Sequence, residues 1–398
     1  MEARWQVADV TPQTASLSGD DDAILWGFPA GEPIDWRVEV FDDEGALRGS
    51  AEGSLPTFDL AGAWMDLRVV VQGEPAGVPP VLFRVGCPGV DGWAWVDPEG
   101  RVRGVQNLDG NVLAVSFDGD AGVLALLGRT VVEERGLDGV VRWSTTPSDD
   151  PLHHDVHRDD RGLTWVLSAE VVDGVVSDGL VVLDEGGERL ATWRLADHLT
   201  PGVGQPASSY WASAFPAVPD WSHGNSITVR DGRGLLSLRW LDAVLELDAD
   251  LDGPDFGRVL WQVTGRPGEI ASDARWSDGG EWEGQHHPTW TADGDLLLFD
   301  NRSFPNRSRV VRVGVSGDRA EMEEEEAWQL DRHCPVQGAA YELADGRILA
   351  TCGSGPSASV FRAGSATPDW EVSLACLTAP HRVVPRFVPM AGVLQGVE

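Results

Sequence analysis

Three short stretches of this chain each place one histidine ahead of the same kind of strand hairpin. After the histidine, each stretch passes through an Asp-Gly or Arg-Gly turn into an apolar run. Repeated units that deliver the same side chain from the same position can bring those side chains together on one axis. The repeat therefore predicts a ring of strand units with histidines at its centre. The three histidines and their stretches are His154 in Leu152–Ser168, His223 in Trp221–Ser237 and His286 in Gln285–Asp300.

The repeat extends from Cys87 onward with a period of about 40–65 residues, which is close to that of propeller blades. Each unit contains short β-branched runs separated by glycine-containing turns, and the units often close on Val or Leu beside a Trp. We predict an all-β fold in which residues 87–398 form a six-bladed β-propeller. The sixth unit would combine Trp93–Val105 with the C-terminal Arg382–Leu394, because joining both chain ends removes free sheet edges. The cores of the other units are 111–145, 152–195, 221–264, 285–330 and 337–374.

Residues 1–86 lack the repeat. Val10–Leu17, Trp36–Phe41 and Met65–Val71 alternate apolar and polar residues between turns rich in Gly, Pro and Asp, a spacing typical of a small β-sandwich. The stretch VADVTPQTASL at Val7–Leu17 resembles a fibronectin type III module. We therefore predict a fibronectin type III-like sandwich over residues 1–86, ahead of the propeller.

The chain is strongly acidic. It has 64 Asp and Glu against 30 basic residues, all of them Arg, for a net charge of -34. Such a surface repels nucleic acid and anionic membranes, so neither is an expected partner. An anionic substrate would need a local pocket of cations to bind against this field. The sequence specifies no oligomeric state.

Two observations concern the compartment. No apolar run approaches the roughly 20 residues of a membrane helix, and Met1–Ser18 shows no signal peptide. The four cysteines (Cys87, Cys334, Cys352 and Cys376) form no CxxC pair and allow three disulfide pairings. A disulfide between Cys87 and Cys376 would close the ring, but buried free thiols are an equal alternative.

The start of the innermost strand of a propeller blade lines the mouth of the central channel. His153, His154 and His157 open the third unit, and His223 opens the fourth. Arg239 ends the strand that pairs with the His223 strand, and antiparallel pairing returns it to the same rim. A guanidinium beside imidazoles is suited to binding an oxyanion. Asn225 lies beside His223 at the start of the fourth unit. His286 and His287 open the fifth unit, and His333 lies just before the sixth.

These motifs together resemble the aryl-sulfate sulfotransferase family. The stretch from Asp220 to Gly265 contains DWSHGNSI and LLSLRW and closes on LWQVTG; GQHHPTW and LLLFDN follow it. They correspond to the family's His-x-Asn-Ser, Ser-x-Arg, Gln-His and Phe-Asp-Asn elements, in the same order. The resemblance covers roughly residues 87–395, and HHDV at His153–Val156 matches an earlier His-Asp element.

The resemblance implies a six-bladed propeller that transfers a sulfuryl group from one phenol to another without a nucleotide donor. It implies a histidine nucleophile, which corresponds to His286. His223, Arg239 and His154 would bind the sulfuryl oxygens. A small aromatic substrate and no cofactor are expected, and family members are usually periplasmic or secreted, although a cytoplasmic location stays open for this chain. Asn225 and three tryptophans, Trp221, Trp240 and Trp282, are the candidates for contact with the aromatic substrate.

The surplus of histidines keeps a second hypothesis open. One histidine per blade could bind a divalent iron or copper ion, because imidazole is a good ligand for both metals. His154 and His157 would not be joint ligands without a bulge, because residues three apart on a strand point to opposite faces. A non-catalytic propeller that binds a partner is the third hypothesis. The candidate metal ligands are His154, His223, His286, His287 and His333.

Overall fold

The regular structure in the described part of the chain is almost entirely β-strand, and six of its seven sheets form blades around one axis. The innermost strands of successive blades contact one another from the first blade to the sixth. The prediction of a six-bladed β-propeller is therefore confirmed. None of the helices in the described part of the chain is long and apolar enough to cross a bilayer. The computed structural model describes residues 2–7, 10–15, 30–31, 33–42, 44–55, 60, 62–108, 110–117, 119, 122–302, 307–378, 384 and 386–390.

The N-terminal residues form one antiparallel sheet in the strand order β2-β1-β3-β4. A second sheet facing it is not found among the described residues, so the fibronectin type III-like sandwich stays a prediction. The strands are β1 (Glu2–Val7), β2 (Val10–Ala15), β3 (Ile34–Phe41) and β4 (Leu47–Leu55).

Two strands that precede residue 87 belong to the propeller. A short 3₁₀ turn (Gly62–Asp66) leads into β5 (Leu67–Gly73), which pairs antiparallel with the outer strand of the sixth blade. The next strand, β6 (Val81–Val85), lies in the first blade. The assignment of Met65–Val71 to the sandwich and the boundary at residue 87 are therefore wrong. Alternation shows that a segment is a strand with one buried face, but it does not identify the sheet that the strand joins.

The first blade joins the two ends of the propeller. The C-terminal strand pairs antiparallel with β6, with Phe387 opposite Phe83, and so closes the ring as expected. Within the predicted segment Arg382–Leu394, only residues 384 and 386–390 are described. The blade consists of β6, β7 (Gly92–Val96), β8 (Val102–Asn107) and the C-terminal strand Phe387–Pro389.

The second, third and fourth blades are continuous in sequence, and each runs from its innermost to its outermost strand. They match the predicted unit cores. The second contains β9 (Val112–Phe117), β10 (Gly122–Leu127), β11 (Val131–Gly136) and β12 (Val141–Thr145). The third contains β13 (Leu152–Arg158), β14 (Thr164–Val172), β15 (Val175–Leu183) and β16 (Arg189–Arg194), followed by a 3₁₀ turn (Leu195–Asp197). The fourth contains β17 (Gly224–Arg230), β18 (Arg233–Leu238), a 3₁₀ turn (Arg239–Leu241), β19 (Ala243–Asp248) and β20 (Val259–Thr264).

The fifth and sixth blades each carry an additional strand at the outer edge. The acidic run within Glu321–Gln329 forms an outer strand, as its like charges on an exposed face suggest. The fifth blade contains β21 (Arg275–Trp276), β22 (His286–Trp290), β23 (Leu296–Asp300), β24 (Arg309–Val315) and β25 (Glu321–Gln329). The sixth contains β26 (Ala339–Glu342), β27 (Ile348–Cys352), β28 (Ser357–Phe361), β29 (Trp370–Cys376) and β5. The C-terminal strand of the first blade (Phe387–Pro389) is β30.

Tryptophans on outer strands tie neighbouring blades together. The indole N–H of each donates to a backbone carbonyl in the next blade, at 2.7–3.2 Å. The rings are buried, so each adds a large apolar contact to a satisfied hydrogen bond. This explains why the units close on a Trp. The four donor and acceptor pairs are Trp193 to Gly257, Trp261 to Arg319, Trp328 to Arg362 and Trp370 to Pro98.

All four cysteines are paired. Cys87 forms a disulfide with Cys376, which joins the first blade to the sixth beside the closure of the ring. Cys334 pairs with Cys352 and fixes the segment that leads into β26. The ring-closing pair is thus the one that the sequence suggested, and the alternative of free thiols is wrong.

Candidate functional site

The inner strands of three consecutive blades begin with a break in register. The breaks lie between His153 and Val156, between Gly224 and Ser226, and between His286 and Thr289. A histidine at or beside each break has a positive φ: 51° at His154, 51° at His223 and 49° at His287. Such bulges redirect side chains and are common next to functional sites. Local backbone geometry therefore turns these strand starts toward the axis.

The imidazoles of the third and fourth blades meet at one end of the channel. The ring centroids of His154 and His223 are 4.8 Å apart, and both residues are only 7% exposed. Burial lowers the pKa of His154 well below its usual value, and the neighbouring imidazoles of His223, His153 and His286 lower it further. His154 and His223 thus meet as the repeat predicted, and His286 interacts electrostatically with both rings. We call these three histidines and Arg239 the upper site.

The His286 ring is held in one tautomer. Its Nδ1 lies 2.7 Å from Asn301 Oδ1 and 3.1 Å from the Gly284 carbonyl oxygen. The Asn301 amide nitrogen donates to two carbonyls, so its oxygen faces the ring. Nδ1 must then carry the proton, which leaves the Nε2 lone pair free. Burial, followed by the charge of Arg239, lowers the pKa of His286 to about 3.

His223 is fixed by a buried carboxylate. Its Nδ1 donates to Asp220 Oδ2 at 2.5 Å, and the indole of Trp240 donates to the same oxygen at 3.0 Å. The Trp240 ring also packs against the imidazole, with centroids 5.0 Å apart. A carboxylate on one ring nitrogen fixes the orientation of the imidazole and directs the other nitrogen outward. His223 is therefore suited to exchanging a proton through Nε2.

A second buried chain supports His154. Its Nδ1 lies 2.9 Å from the Nδ1 of His153, whose Nε2 faces Asp178 at 3.1 Å. Burial opposes ionisation of Asp178, but hydrogen bonds from His153, Ser222 and the Gly224 backbone outweigh it and lower the pKa of this carboxyl. One proton is shared between the two Nδ1 atoms. Asp178 thereby orients the His153 ring behind the upper site.

Arg239 reaches the same rim, as strand pairing predicted. Its backbone N–H donates to the His223 carbonyl at 3.2 Å, and its Nη2 donates to the Pro335 carbonyl at 2.8 Å. The guanidinium lies 4.8 Å from the Trp240 ring centre. Its Nε–H is buried and has no hydrogen-bond partner within the described residues. An unpaired buried donor on a cation is costly, so an anion bound here would be stabilised.

A second guanidinium and a tyrosine lie beside His154, and the sequence repeat does not indicate either of them. Arg129, in the β10–β11 turn of the second blade, donates to the Tyr210 carbonyl at 2.5 Å and lies 4.3 Å above the Tyr210 ring. Its Nη1 is a further buried donor without a partner in the described part of the chain. The Tyr210 ring lies 4.2 Å from the His154 ring and 5.6 Å from the His223 ring. Tyr210 is one of only two tyrosines in the chain, but the repeat carries no signal for it.

The remaining candidate histidines lie elsewhere. His287 Nδ1 contacts the Ala340 carbonyl at 3.2 Å, and its ring packs on Tyr341. His333 Nε2 contacts the Arg302 carbonyl at 3.0 Å. A bulge does separate His154 from His157, yet His157 bonds the Val229 carbonyl and lines a different cavity. The alternative metal ring, with one histidine from each of these blades, is therefore not assembled.

The donor set does not fit a resident metal ion. Within the described residues, only one group of three His, Cys, Asp or Glu brings its ligand atoms within 4.8 Å of one another. That group is Asp66, Cys87 and Cys376, and its two cysteines are joined in a disulfide. The imidazoles of the upper site are instead held by carboxylates, amides and one another.

Of the three tryptophans predicted to contact an aromatic substrate, one lies at the upper site and two lie in the core. Trp240 lies at the upper site, but Trp221 and Trp282 are buried to 1% and 0% exposure and donate to Glu269 and to the Asp242 carbonyl. These two rings are core, so a substrate cannot stack on them. The Asn225 amide donates to the Gln285 carbonyl at 2.7 Å. Asn225 thus positions the segment that leads to His286 and does not face a ligand.

Fold and site together define a class: a six-bladed β-propeller with buried imidazoles and a guanidinium at one mouth of its channel. The sequence profile named Arylsulfotransferase (ASST) matches residues 91–313, which is more than half of the chain. The chain belongs to the arylsulfotransferase family. Membership supports an arylsulfotransferase-like transferase acting on small aromatic substrates. No curated protein matches the chain.

Known structures show similarity in fold. A protein of unknown function from Bacteroides caccae is 11% identical, with a TM-score of 0.51 over 79% of this chain and 99% of its own. A catalytically inactive variant of virginiamycin B lyase from Staphylococcus aureus, solved with quinupristin, is 10% identical with a TM-score of 0.42, over 82% and 90%. At these identities the similarity concerns the propeller fold alone.

Proposed function

We propose that this protein transfers a sulfuryl group from an aryl sulfate to a phenol through a sulfohistidine at His286. The observation that carries this proposal is the state of the His286 ring. Its Nδ1–H is engaged by Asn301 and its pKa is about 3, so Nε2 holds a free lone pair at neutral pH. An unprotonated imidazole beside cationic donors is the form that a nucleophile requires.

The first half-reaction exchanges one bond for another. The Nε2 lone pair attacks sulfur and forms an N–S bond, while the bond from sulfur to the aryl oxygen breaks and its electron pair leaves on that oxygen. His223, oriented by Asp220, gives its Nε2 proton to the departing phenolate. A phenolate is a good leaving group, so modest acid assistance suffices.

The second half-reaction reverses these roles. An acceptor phenol gives its proton back to His223, and its oxygen attacks sulfur. The N–S bond breaks and returns the electron pair to His286. No nucleotide takes part, and proton and charge balance over the cycle.

The sulfuryl oxygens need donors in both steps. Arg239 and Arg129 each carry a buried N–H without a partner among the described residues, and both guanidiniums lower the pKa of an imidazole in the site. His154 can donate from Nε2 when the shared proton is on His153. Fixed donors aimed at developing charge are the main source of such catalysis. Tyr210 and Trp240 supply aromatic faces for the phenol ring.

The two disulfides favour an oxidising compartment for this chain, in agreement with export to the periplasm or the medium. This assignment is part of the proposal. Fractionation of cells that express the full-length protein tests it, and a reduced protein confined to the cytoplasm would contradict it.

The test is a single-turnover reaction with p-nitrophenyl sulfate and no acceptor. We expect one nitrophenol per chain in a burst, and a mass increase of one sulfuryl group on the peptide that carries His286. Adding a phenol should remove the label and restore turnover without a nucleotide. His286→Asn should give neither burst nor label. Turnover without any protein-bound sulfuryl group would refute the covalent route.

A further inference from the structure

A second cavity opens at the opposite mouth of the central channel. The upper site lies at the starts of the inner strands, whereas this cavity is lined by residues at their ends, such as Phe117, Arg158 and Trp290. Its volume is about 320 Å³, and no residue of the upper site lines it. That volume is at the lower end of the range for small-molecule pockets. We call it the lower cavity.

The lining is cationic in an otherwise anionic protein. Among the described residues, four arginines and no Asp or Glu line the lower cavity, although the chain has 64 acidic residues against 30 basic ones. A pocket with this lining is what an anion would need to approach a chain of net charge -34. The four arginines are Arg158, Arg230, Arg233 and Arg386.

The four guanidiniums are not equally available. Arg158 is held by Glu134, and Arg386 by Asp155 at 2.5 Å, both from outside the cavity lining. Arg230 lies 3.7 Å from the exposed Asp231. Arg233 is exposed, and its guanidinium forms no hydrogen bond or ion pair with another described residue. Arg233 is therefore the cation that an incoming anion can engage without displacing a carboxylate.

The remaining walls suit an aromatic ring that carries a hydroxyl group. Phe117, Leu235, Trp290 and Val388 supply apolar surface. His157 Nε2 donates to the Val229 carbonyl at 3.1 Å, which leaves its Nδ1 free. His287 uses Nδ1 on the Ala340 carbonyl, which leaves Nε2 free. Burial lowers the pKa of both imidazoles, so both free nitrogens are acceptors at neutral pH.

We propose that the lower cavity binds a small aromatic anion that carries a hydroxyl group, with its charge on Arg233 and its hydroxyl on the imidazoles of His157 and His287. This binding site is separate from the group-transfer site and does not depend on the proposed function. It gives the protein a second place to recognise a compound of this kind.

The probe is para-hydroxybenzoate, measured by isothermal titration calorimetry on the full chain. We expect binding at the lower cavity that Arg233→Ala weakens, weaker binding there of benzoate, which lacks the hydroxyl, and weaker binding of uncharged para-hydroxybenzyl alcohol. Arg233→Ala should weaken the hydroxybenzoate affinity about threefold to fivefold, as expected for an exposed ion pair. Arg258→Ala removes the same charge from an exposed outer position of the same blade and should leave the affinity unchanged.

Two further variants locate the site. Thr289→Trp fills the cavity from its wall and should abolish binding, with thermal unfolding as the check that the variant folds; if it does not fold, Arg233→Ala decides. His286→Asn should retain full affinity even where it abolishes sulfuryl transfer. Two outcomes would overturn the proposal: no binding of the probe, or binding that is lost in His286→Asn while the affinity of Arg233→Ala is unchanged. Neither outcome depends on the result of the turnover test.

Discussion

The upper site and the lower cavity are built by the same inner strands, yet they leave different atoms free. At the upper site, the Nδ1–H groups of two imidazoles donate to Asn301 and Asp220. Arg239, and Arg129 beside the site, each keep a buried N–H without a partner among the described residues. At the lower cavity, two of the four guanidiniums are bound to buried carboxylates, and the other two lie toward solvent. The first arrangement suits transient charge on a reacting group, and the second suits reversible binding of an anion.

The contrast is sharpest between two adjacent residues. His286 and His287 are neighbours on β22, and burial lowers the pKa of both. His286 is coupled to Arg239 and His223, whereas His287 is coupled to Arg386 and His157. The bulge between His286 and Thr289 separates them. Chemical similarity along a strand therefore does not imply a shared role.

The largest expected effect comes from exchanging each of these histidines for Asn. His286→Asn removes the proposed nucleophile and should lower kcat for sulfuryl transfer by at least about 10⁴-fold, the size seen when a covalent nucleophile is lost. His287→Asn keeps a residue that tolerates its positive φ of 49° and should lower kcat by less than about tenfold. Steady-state kinetics with p-nitrophenyl sulfate and phenol measure both. The reverse order of effects would assign the nucleophile to His287.

A smaller effect is expected from the two guanidiniums of the upper mouth. Arg239→Ala removes a donor beside His286 and should cost about 10²-fold in kcat, the usual loss for one oxyanion donor. Arg129→Ala also removes a buried donor, but it lies beside His154, so we expect a loss of about tenfold. Arg258→Ala, on the outside of the fourth blade, is the control for loss of a positive charge. Equal activity of Arg129→Ala and the control would remove Arg129 from the site.

The sequence predicted the scaffold better than the site. The unit cores, the closure by both chain ends and the return of Arg239 to the His223 rim follow from strand periodicity and antiparallel pairing. Arg129 and Tyr210 come from a turn and from a long connection between blades, where no repeat indicates position. Trp221 and Trp282 looked accessible because sequence position does not reveal burial.

The domain boundary failed for a related reason. β5 reads as a sandwich strand because its alternation is the same in either sheet, and only the pairing with β29 assigns it to the sixth blade. The role of Asn301 was similarly hidden, since an Asn after a strand is common in turns. Its contact with His286 is a property of the folded loop that Cys334 anchors.

The smallest expected effect is the loss of folding stability in acid, to which histidines at both ends of the channel contribute. The pKa of His286 is about 3, and those of His154, His157 and His287 are lowered too, in each case chiefly by burial. The unfolded chain binds protons at these residues near pH 6.5, whereas the folded chain does not until the pH is much lower. Acidification below 6.5 therefore favours unfolding, and the stability is fully present above that pH.

We expect His286, whose pKa is about 3, to contribute a loss of about 1 kcal/mol in the free energy of unfolding per pH unit within this window, and the other buried imidazoles to act in the same direction. Urea unfolding between pH 7 and pH 5, above the titration range of most carboxylates, measures the slope. His286→Gln should flatten that slope by about this amount, and His157→Gln, from the other end of the channel, should flatten it in the same direction. If only the His286 variant flattens it, the lower cavity stays hydrated enough to protonate His157, and the acceptor role that its binding site requires is lost.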